Sequence, residues 1–343
     1  MTDDFTPIEF SWNWGLLSDT VAPTVRFSIE AIGRDAGLPS DAWNWCETAS
    51  FVERLAQEAP TVDLSLFYEL GLRLLDECNQ VDLGDYAQAE RASRASTFLA
   101  FDLKGDVRIP KVYFVPFNHL ATEERDQGAI IHDLLMPLAI REKWESLVVL
   151  LKFGLSSAVN GVVPFMIAND CVPLQKNRIK IYFRSADTTF RTVVDILGAF
   201  DAELWQGQAL RELQELWRLL FKQDPGLDQR LPTTSHETAG ILYYFEVRPG
   251  SLRIVPKVYL PVKHYGINDQ HTAMALATFF RNHGPPRDQW IKEYLKTIGQ
   301  ICSHRRLEER SGLHTYISCS LKNGSLDITS YINPEIYSVY AEK

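Results

Sequence analysis

The chain has 343 residues, 45% of them hydrophobic and 23% charged, which is enough apolar material for a substantial core in one large domain or two modest ones. Its formal net charge of -9 argues against a nucleic-acid partner, because binding to a phosphate backbone draws on a surplus of Lys and Arg. No run approaches the roughly 18 apolar residues of a membrane helix, and the opening MTDDFTPIEF has neither a basic flank nor an apolar h-region. The expectation is a cytoplasmic protein without membrane association. The five cysteines are scattered, with no C-x-x-C pair to suggest zinc or a redox couple.

In chain order, five pairs of short segments alternate apolar and polar residues with a period of two. They are 8–14 with 24–30, 94–104 with 108–116, 161–170 with 178–184, 240–247 with 252–261, and 313–320 with 325–332. Each pair reads as a hairpin. Long runs with apolar residues at helical spacing lie between pairs, among them 50–79 and 269–309. Pro60 divides the first into two helices, and Gly284-Pro285-Pro286 divides the second. The unit is strand, strand, helix, helix, and the likeness of RIPKVYFVP (108–116) to RIVPKVYLP (253–261) marks an internal repeat.

This pattern predicts an α+β fold in one domain spanning 1–343: a ten-stranded antiparallel β-barrel surrounded by helices, which removes sheet edges and gives every strand one inner face and one helix-covered face. In RIKIYFR, Arg178, Lys180, Tyr182 and Arg184 oppose Ile179, Ile181 and Phe183. The apolar set must face the helices. An open sheet with one solvated face would show the same alternation. Two features favour the barrel: tyrosine recurs two residues after lysine on three strands, and ten strands would make an unusually large open sheet.

Those pairs are Lys111/Tyr113, Lys180/Tyr182 and Lys257/Tyr259; a fourth, Lys292/Tyr294, falls in a helical run and is set aside. Spacing of two puts both side chains of a pair on one face. Together with Arg178, they predict a cluster of cations and phenols suited to a diphosphate. The cations neutralise charge on the leaving group, while aromatic faces stabilise an allylic cation and exclude water. Tyr316 and Tyr331 on the last hairpin extend the aromatic belt. Each tyrosine taken alone suits an ordinary half-buried strand position, so only the set carries the reading. There is no D-D-x-x-D run to hold magnesium, and no P-loop or G-x-G-x-x-G for a nucleotide.

Read in order, PIEFSWNW, VRFSIEAIG, AFDLK with PKVYFVP, NDCVP with RIKIYFR, PKVYLP, and HTYIS with ITSYINP resemble the fungal indole prenyltransferases of the dimethylallyltryptophan synthase family over nearly the whole chain. The resemblance implies the ABBA prenyltransferase barrel (PT barrel) and metal-independent transfer of a dimethylallyl group from dimethylallyl diphosphate to an indole by electrophilic aromatic substitution, with no cofactor. The implied setting is secondary metabolism, in alkaloid biosynthesis. It further implies that Glu30 accepts the indole N–H, that Lys104 takes the proton released at rearomatisation, and that Lys111, Arg178, Lys180 and Lys257 bind diphosphate. Tyr113, Tyr182, Tyr259, Tyr316 and Tyr331 form the cation shield.

The chain departs from the family pattern in places. It has Glu30-Ala31-Ile32-Gly33 in place of Glu-Pro-Ile-Gly, and where tryptophan-using members carry a tyrosine and an arginine it has Val115 and Pro164-Phe165-Met166. A cyclic dipeptide or larger indole therefore fits the resemblance better than free tryptophan. The helix pair that precedes the first hairpin in the family is missing, which would leave Phe10, Trp12, Trp14, Phe27 and Ile29 uncovered. Either the start is truncated or a partner, such as a second copy in a homodimer, covers them. Two other functions stay open: prenylation of a phenolic or other hydroxylated acceptor, and a non-catalytic barrel that binds isoprenoid diphosphate.

Overall fold

The structure is a computed structural model that describes residues 2–16, 22–79, 96–103, 109–115, 127–156, 161–236 and 238–338. Its ten strands are β1 (Ile8–Leu16), β2 (Thr24–Ile29), β3 (Thr97–Asp102), β4 (Lys111–Phe114), β5 (Val163–Asp170), β6 (Ile179–Ser185), β7 (Ile241–Val247), β8 (Val255–Leu260), β9 (His314–Lys322) and β10 (Ser325–Ile332). They form a closed antiparallel barrel in the order β1-β10-β9-β8-β7-β6-β5-β4-β3-β2, with helices around it. Four helix pairs follow the first four hairpins: α1 (Cys46–Glu58) and α2 (Ser65–Asn79), α3 (Gln127–Arg141) and α4 (Glu145–Leu155), α5 (Phe190–Leu197) and α6 (Gly207–Phe221), and α7 (Asp269–Asn282) and α8 (Asp288–Ile301). Pro60 and Gly284-Pro285-Pro286 fall in the breaks between α1 and α2 and between α7 and α8, as their inability to continue a helix requires. No described helix is long and apolar enough to cross a membrane.

Contacts divide the chain into two compact units, 28–184 with 244–255, and 2–27 with 185–243 and 256–343. In the first unit, strand alternation is plain in β4, where Val112 and Phe114 are buried while Lys111 and Tyr113 are half-buried. Phe114 packs on Phe67 of α2, which stacks on Trp45 with ring centroids 4.7 Å apart. Gly71 makes that stack feasible, since a Cβ there would fall 2.0 Å from the Trp45 ring. Further round, Phe153 of α4, Phe183 of β6 and Phe245 of β7 form a mutually edge-on triad with centroids 5.5 to 5.7 Å apart.

In the second unit, β9 and β10 are joined by Asn323-Gly324, both at positive φ (51° and 78°). This is the two-residue turn whose twist matches that of the strands. Outside β1, Trp14 stacks on Phe280 of α7 at 4.4 Å and lies edge-on to Tyr294 of α8 at 4.8 Å, and Arg287 donates to the Trp14 carbonyl. Trp14 is thus buried, and half-buried Trp12 also meets Tyr294. The sequence expectation of an uncovered β1 is corrected at these two positions. Their cover comes from the last helix pair, some 270 residues downstream, a contact that no local pattern encodes.

An ionic lock fastens α7 to β9. Asp269, fully buried, accepts from the Leu313 and His314 backbone N–H groups at 3.1 and 2.8 Å, and pairs with Arg305 at 2.6 Å and with the His314 ring at 3.0 Å. Burial opposes its charge, but His314 and Arg305 outweigh that and hold its carboxyl below the usual 3.8. A depressed folded-state value stabilises the fold above the unfolded value and loses that contribution as pH falls through the folded one. Asp269→Asn should therefore cost about 3 kcal/mol near neutral pH, by taking the carboxylate from buried Arg305 and His314 and leaving Arg305 with Glu335 alone. The gap to the parent should close as pH drops below 3.8, which urea unfolding across a pH series would measure.

Candidate active site

The inner face of the first unit carries an interleaved set of charges. β4 and β5 pair with Lys111 opposite Asp170, and β3 ends in Asp102, whose carboxylate meets the Lys111 ammonium at 2.6 Å. Arg178, just before β6, donates through Nε to Asp170 at 2.7 Å and through Nη1 to Glu246 of β7 at 3.1 Å. Glu246 also holds Arg248 at 2.8 Å. Burial opposes the Arg178 charge, but Asp170 and Glu246 outweigh it and keep the guanidinium protonated. Glu246 is likewise opposed by burial yet kept below the usual carboxylate range by Lys180, Arg178 and Arg248.

Lys180 is the exception. Burial, the Arg178 guanidinium and the Lys111 ammonium pull its pKa well below the usual 10.5, against the opposing pull of Asp170 and Glu246. Its ammonium lies 5.3 Å from the centre of the Tyr244 ring. Aromatic rings continue the face. Tyr113 stacks on its cross-strand partner Phe98 at 4.5 Å and approaches Tyr182 at 6.0 Å, while Tyr182 meets Tyr244 edge-on at 5.4 Å. At Pro164/Met166 the β5–β6 register slips, and Phe165 in this bulge stacks under the Arg184 guanidinium at 4.9 Å.

The second unit repeats the theme with fewer charges. Lys257, nearly buried, lies 5.4 Å from the Tyr259 ring and 6.0 Å from that of Tyr331. Tyr259 meets Tyr316 edge-on at 6.1 Å and Tyr331 at 5.4 Å. Cross-strand register aligns Lys257, Ser320 and Asp327 on neighbouring strands, so the three share a face. Asp327 accepts from Asn13 at 3.0 Å and from Lys322 at 2.5 Å, and Lys257 and Lys322 overcome its burial to keep it ionised.

Glu30 follows β2 and is held by Asn44, whose amide reaches its carboxylate at 3.5 Å. The same amide donates to the Ala31 carbonyl at 2.9 Å, and its oxygen accepts from the Gly33 N–H at 3.0 Å. Asn44 adopts a positive φ of 52°, a conformation asparagine tolerates better than most residues. Lys104 lies outside the described residues.

The structure therefore groups Lys111, Arg178, Lys180, Tyr113 and Tyr182 in one unit and Lys257, Tyr259, Tyr316 and Tyr331 in the other. It sets Lys292/Tyr294 apart, with the Tyr294 hydroxyl engaged by His314 at 2.7 Å in the helical layer. Sequence reasoning missed the counter-charges Asp102, Asp170, Glu246 and Asp327, and the brace Asn44. Parity gave a signal for Glu246, two residues from Tyr244 on β7, and for Asp170, which falls opposite Lys111 once the hairpins are aligned.

Two groups of described residues bring metal-ligand atoms within 4.8 Å of one another: Asp3, His236 and His264, and Cys302, His304 and Glu335. In the first, the Lys263 ammonium contacts Asp3, and the Thr238 hydroxyl lies 2.7 to 2.9 Å from all three ligand atoms. In the second, Arg305 and Arg310 hold Glu335 at 2.9 and 2.5 Å.

The closed barrel with helices around it matches a solved architecture. AnaPT from Neosartorya fischeri superposes with a TM-score of 0.75 and 25% identity, over 96% of this chain and 78% of that one. The class is thus aromatic prenyltransferase, with the ABBA fold. The chain belongs to the tryptophan dimethylallyltransferase family, which it matches over residues 1–297. It is 34% identical to 4-O-dimethylallyl-L-tyrosine synthase of Claviceps purpurea, over 98% of this chain and 75% of that protein. To 7-dimethylallyltryptophan synthase of Aspergillus fumigatus it is 32% identical, over 98% and 72%.

The depressed Lys180 pKa has a measurable consequence. A multivalent anion among Lys111, Arg178 and Lys180 favours the ammonium and raises that pKa again, so a pH series should pass through a range below 10.5 in which binding draws in a proton. Calorimetric titration of inorganic pyrophosphate in buffers of different ionisation enthalpy should show net proton uptake, and Lys180→Met should abolish it.

Proposed function

We propose that this prenyltransferase moves a dimethylallyl group from dimethylallyl diphosphate to an indole without a metal ion. The observation that carries the reading is the meeting of Lys111, Arg178 and Lys180 with Tyr113, Tyr182 and Tyr244 on one inner face: concentrated positive charge beside aromatic faces. Lys111, Arg178, Lys180 and Lys257 take the diphosphate. The allylic C–O bond breaks heterolytically, and its electron pair leaves on a diphosphate oxygen whose growing charge the cations neutralise. This is the work a magnesium ion would otherwise do.

Tyr113, Tyr182, Tyr259, Tyr316 and Tyr331 offer their ring faces to the allylic cation and displace water that would quench it. A ring carbon of the acceptor supplies the pair for the new C–C bond. The proton on that carbon then leaves to Lys104, restoring aromaticity. Glu30, steadied by Asn44, accepts the indole N–H, orients the ring and enriches it in electron density.

A phenolic acceptor is the second reading, favoured by the likeness to a relative named for 4-O-prenylation of tyrosine. In that case Glu30 would accept the phenol O–H, and the oxygen would take the prenyl group.

The test is incubation with dimethylallyl diphosphate, EDTA and a panel of indoles, cyclic dipeptides, tyrosine and other phenols, read as a mass gain of one prenyl unit. We expect an indole product in EDTA. Activity lost in EDTA would reject the metal-free reading, and product from phenols alone would establish the second. Glu30→Gln should lower kcat/KM for indoles by about 100-fold, the scale of a lost charge-assisted contact near 3 kcal/mol. An equal loss for acceptors without an N–H or O–H would reject the role given to Glu30.

A further inference from the structure

Arg178 meets two carboxylates from different strands: Nε is engaged by Asp170 at 2.7 Å and Nη1 by Glu246 at 3.1 Å. These contacts take two of the five N–H donors of the guanidinium and fix its direction, so an anion that Arg178 grips competes with both carboxylates for its charge and orientation. The two carboxylates are not equivalent. Glu246 Oε1 already accepts from Arg248 at 3.0 Å through Nε and at 2.8 Å through Nη2, whereas Oε2 faces Arg178 by the longer contact. When Arg178 turns away, Glu246 still has a guanidinium partner, and its buried charge is not stranded. Arg248 is itself about half exposed at 54%, so the pair it forms stays solvated at its outer end.

We infer that Glu246 is an exchange anion for the diphosphate subsite: it holds Arg178 in place while the site is empty, yields it to the incoming diphosphate, and reclaims it as pyrophosphate departs. This rests on the proposed function, which places diphosphate on Arg178. Glu246 is a positioning residue, and its charge makes the site bind the product less tightly than bare cations would. Without such competition, several cations around a buried diphosphate would retain the released pyrophosphate and slow turnover. Asp170 shares the task through the shorter bond, and Asp102 stands in the same relation to Lys111 at 2.6 Å.

The experiment measures inorganic pyrophosphate by direct calorimetric titration and as an inhibitor competing with dimethylallyl diphosphate, for the parent, Glu246→Gln and Glu246→Asp. Glutamine keeps the shape and removes the charge. Glu246→Gln is expected to bind pyrophosphate on the order of tenfold more tightly, with kcat lowered because release slows, and Glu246→Asp should return both values toward the parent. A residue needed only to hold the strand in shape would give weaker binding when altered. Unchanged or weaker binding in Glu246→Gln would overturn the inference while leaving the site reading intact. Failure of the parent to bind pyrophosphate at all, or to compete it against dimethylallyl diphosphate, would reject the diphosphate site itself and the inference with it. Should Glu246→Gln fail to fold, Glu246→Ala removes the same charge and carries the same expectation: tighter pyrophosphate supports the inference, unchanged or weaker binding overturns it.

Discussion

The structure depends on the two-residue period of a strand closed on itself. Once ten strands complete a ring, every second side chain points inward, and the remainder must find an apolar covering outside. The four helix pairs supply that covering. Phe114 faces α2, Phe183 and Phe245 face α4, and Trp14 faces α7 and α8. With the apolar requirement met outside, the inward positions can carry lysine, arginine, glutamate and tyrosine.

An inward face of cations is costly unless something neutralises it, and the barrel does so with its own carboxylates. Arg178 sits between Asp170 and Glu246, Lys111 against Asp102, and Lys257 near Asp327. Lys180 meets the same constraint differently, by a pKa drawn well down through burial and its cationic neighbours. Charged pairs of this kind contribute little net stability. In the diphosphate site we propose, they keep the donors oriented for an anionic ligand, so little reorganisation is left for the moment of binding. The tyrosines have a matching logic, since each ring is fixed by another ring or by a neighbouring strand and so presents a rigid aromatic face.

Family membership makes the chain an aromatic prenyltransferase, and the relatives named for tyrosine and for tryptophan differ in the acceptor. In the function we propose, Glu30 is the side chain that meets the acceptor. Glu30 presents a carboxylate able to receive N–H or O–H, and the Asn44 brace, anchored to Ala31 and Gly33, fixes that loop where the chain lacks the proline expected after Glu30. The bulge at Phe165, with Arg184 over its ring, reshapes the end of the β5–β6 pair, where the alternation read from sequence assumed an unbroken register.

All five hairpins and the divided helical runs were legible in the sequence, because period-two alternation, helical spacing and proline breaks are local and each states its own geometry. The inward cations and tyrosines were legible for the same reason: Lys111 and Tyr113 share a face whatever else the chain does. The sequence did not reveal which distant carboxylate meets which cation. Glu246 lies 68 residues from Arg178, and Asp170 reaches Lys111 only through strand pairing. Nor could it tell that Trp14 would be covered by helices from the far end of the chain, or that Asn44 would reach back to Glu30. Pattern fixes what each strand offers to its two sides; ring closure decides what those sides meet, because pairing partners far apart in sequence are chosen by the packing of the whole and leave no periodic trace along the chain.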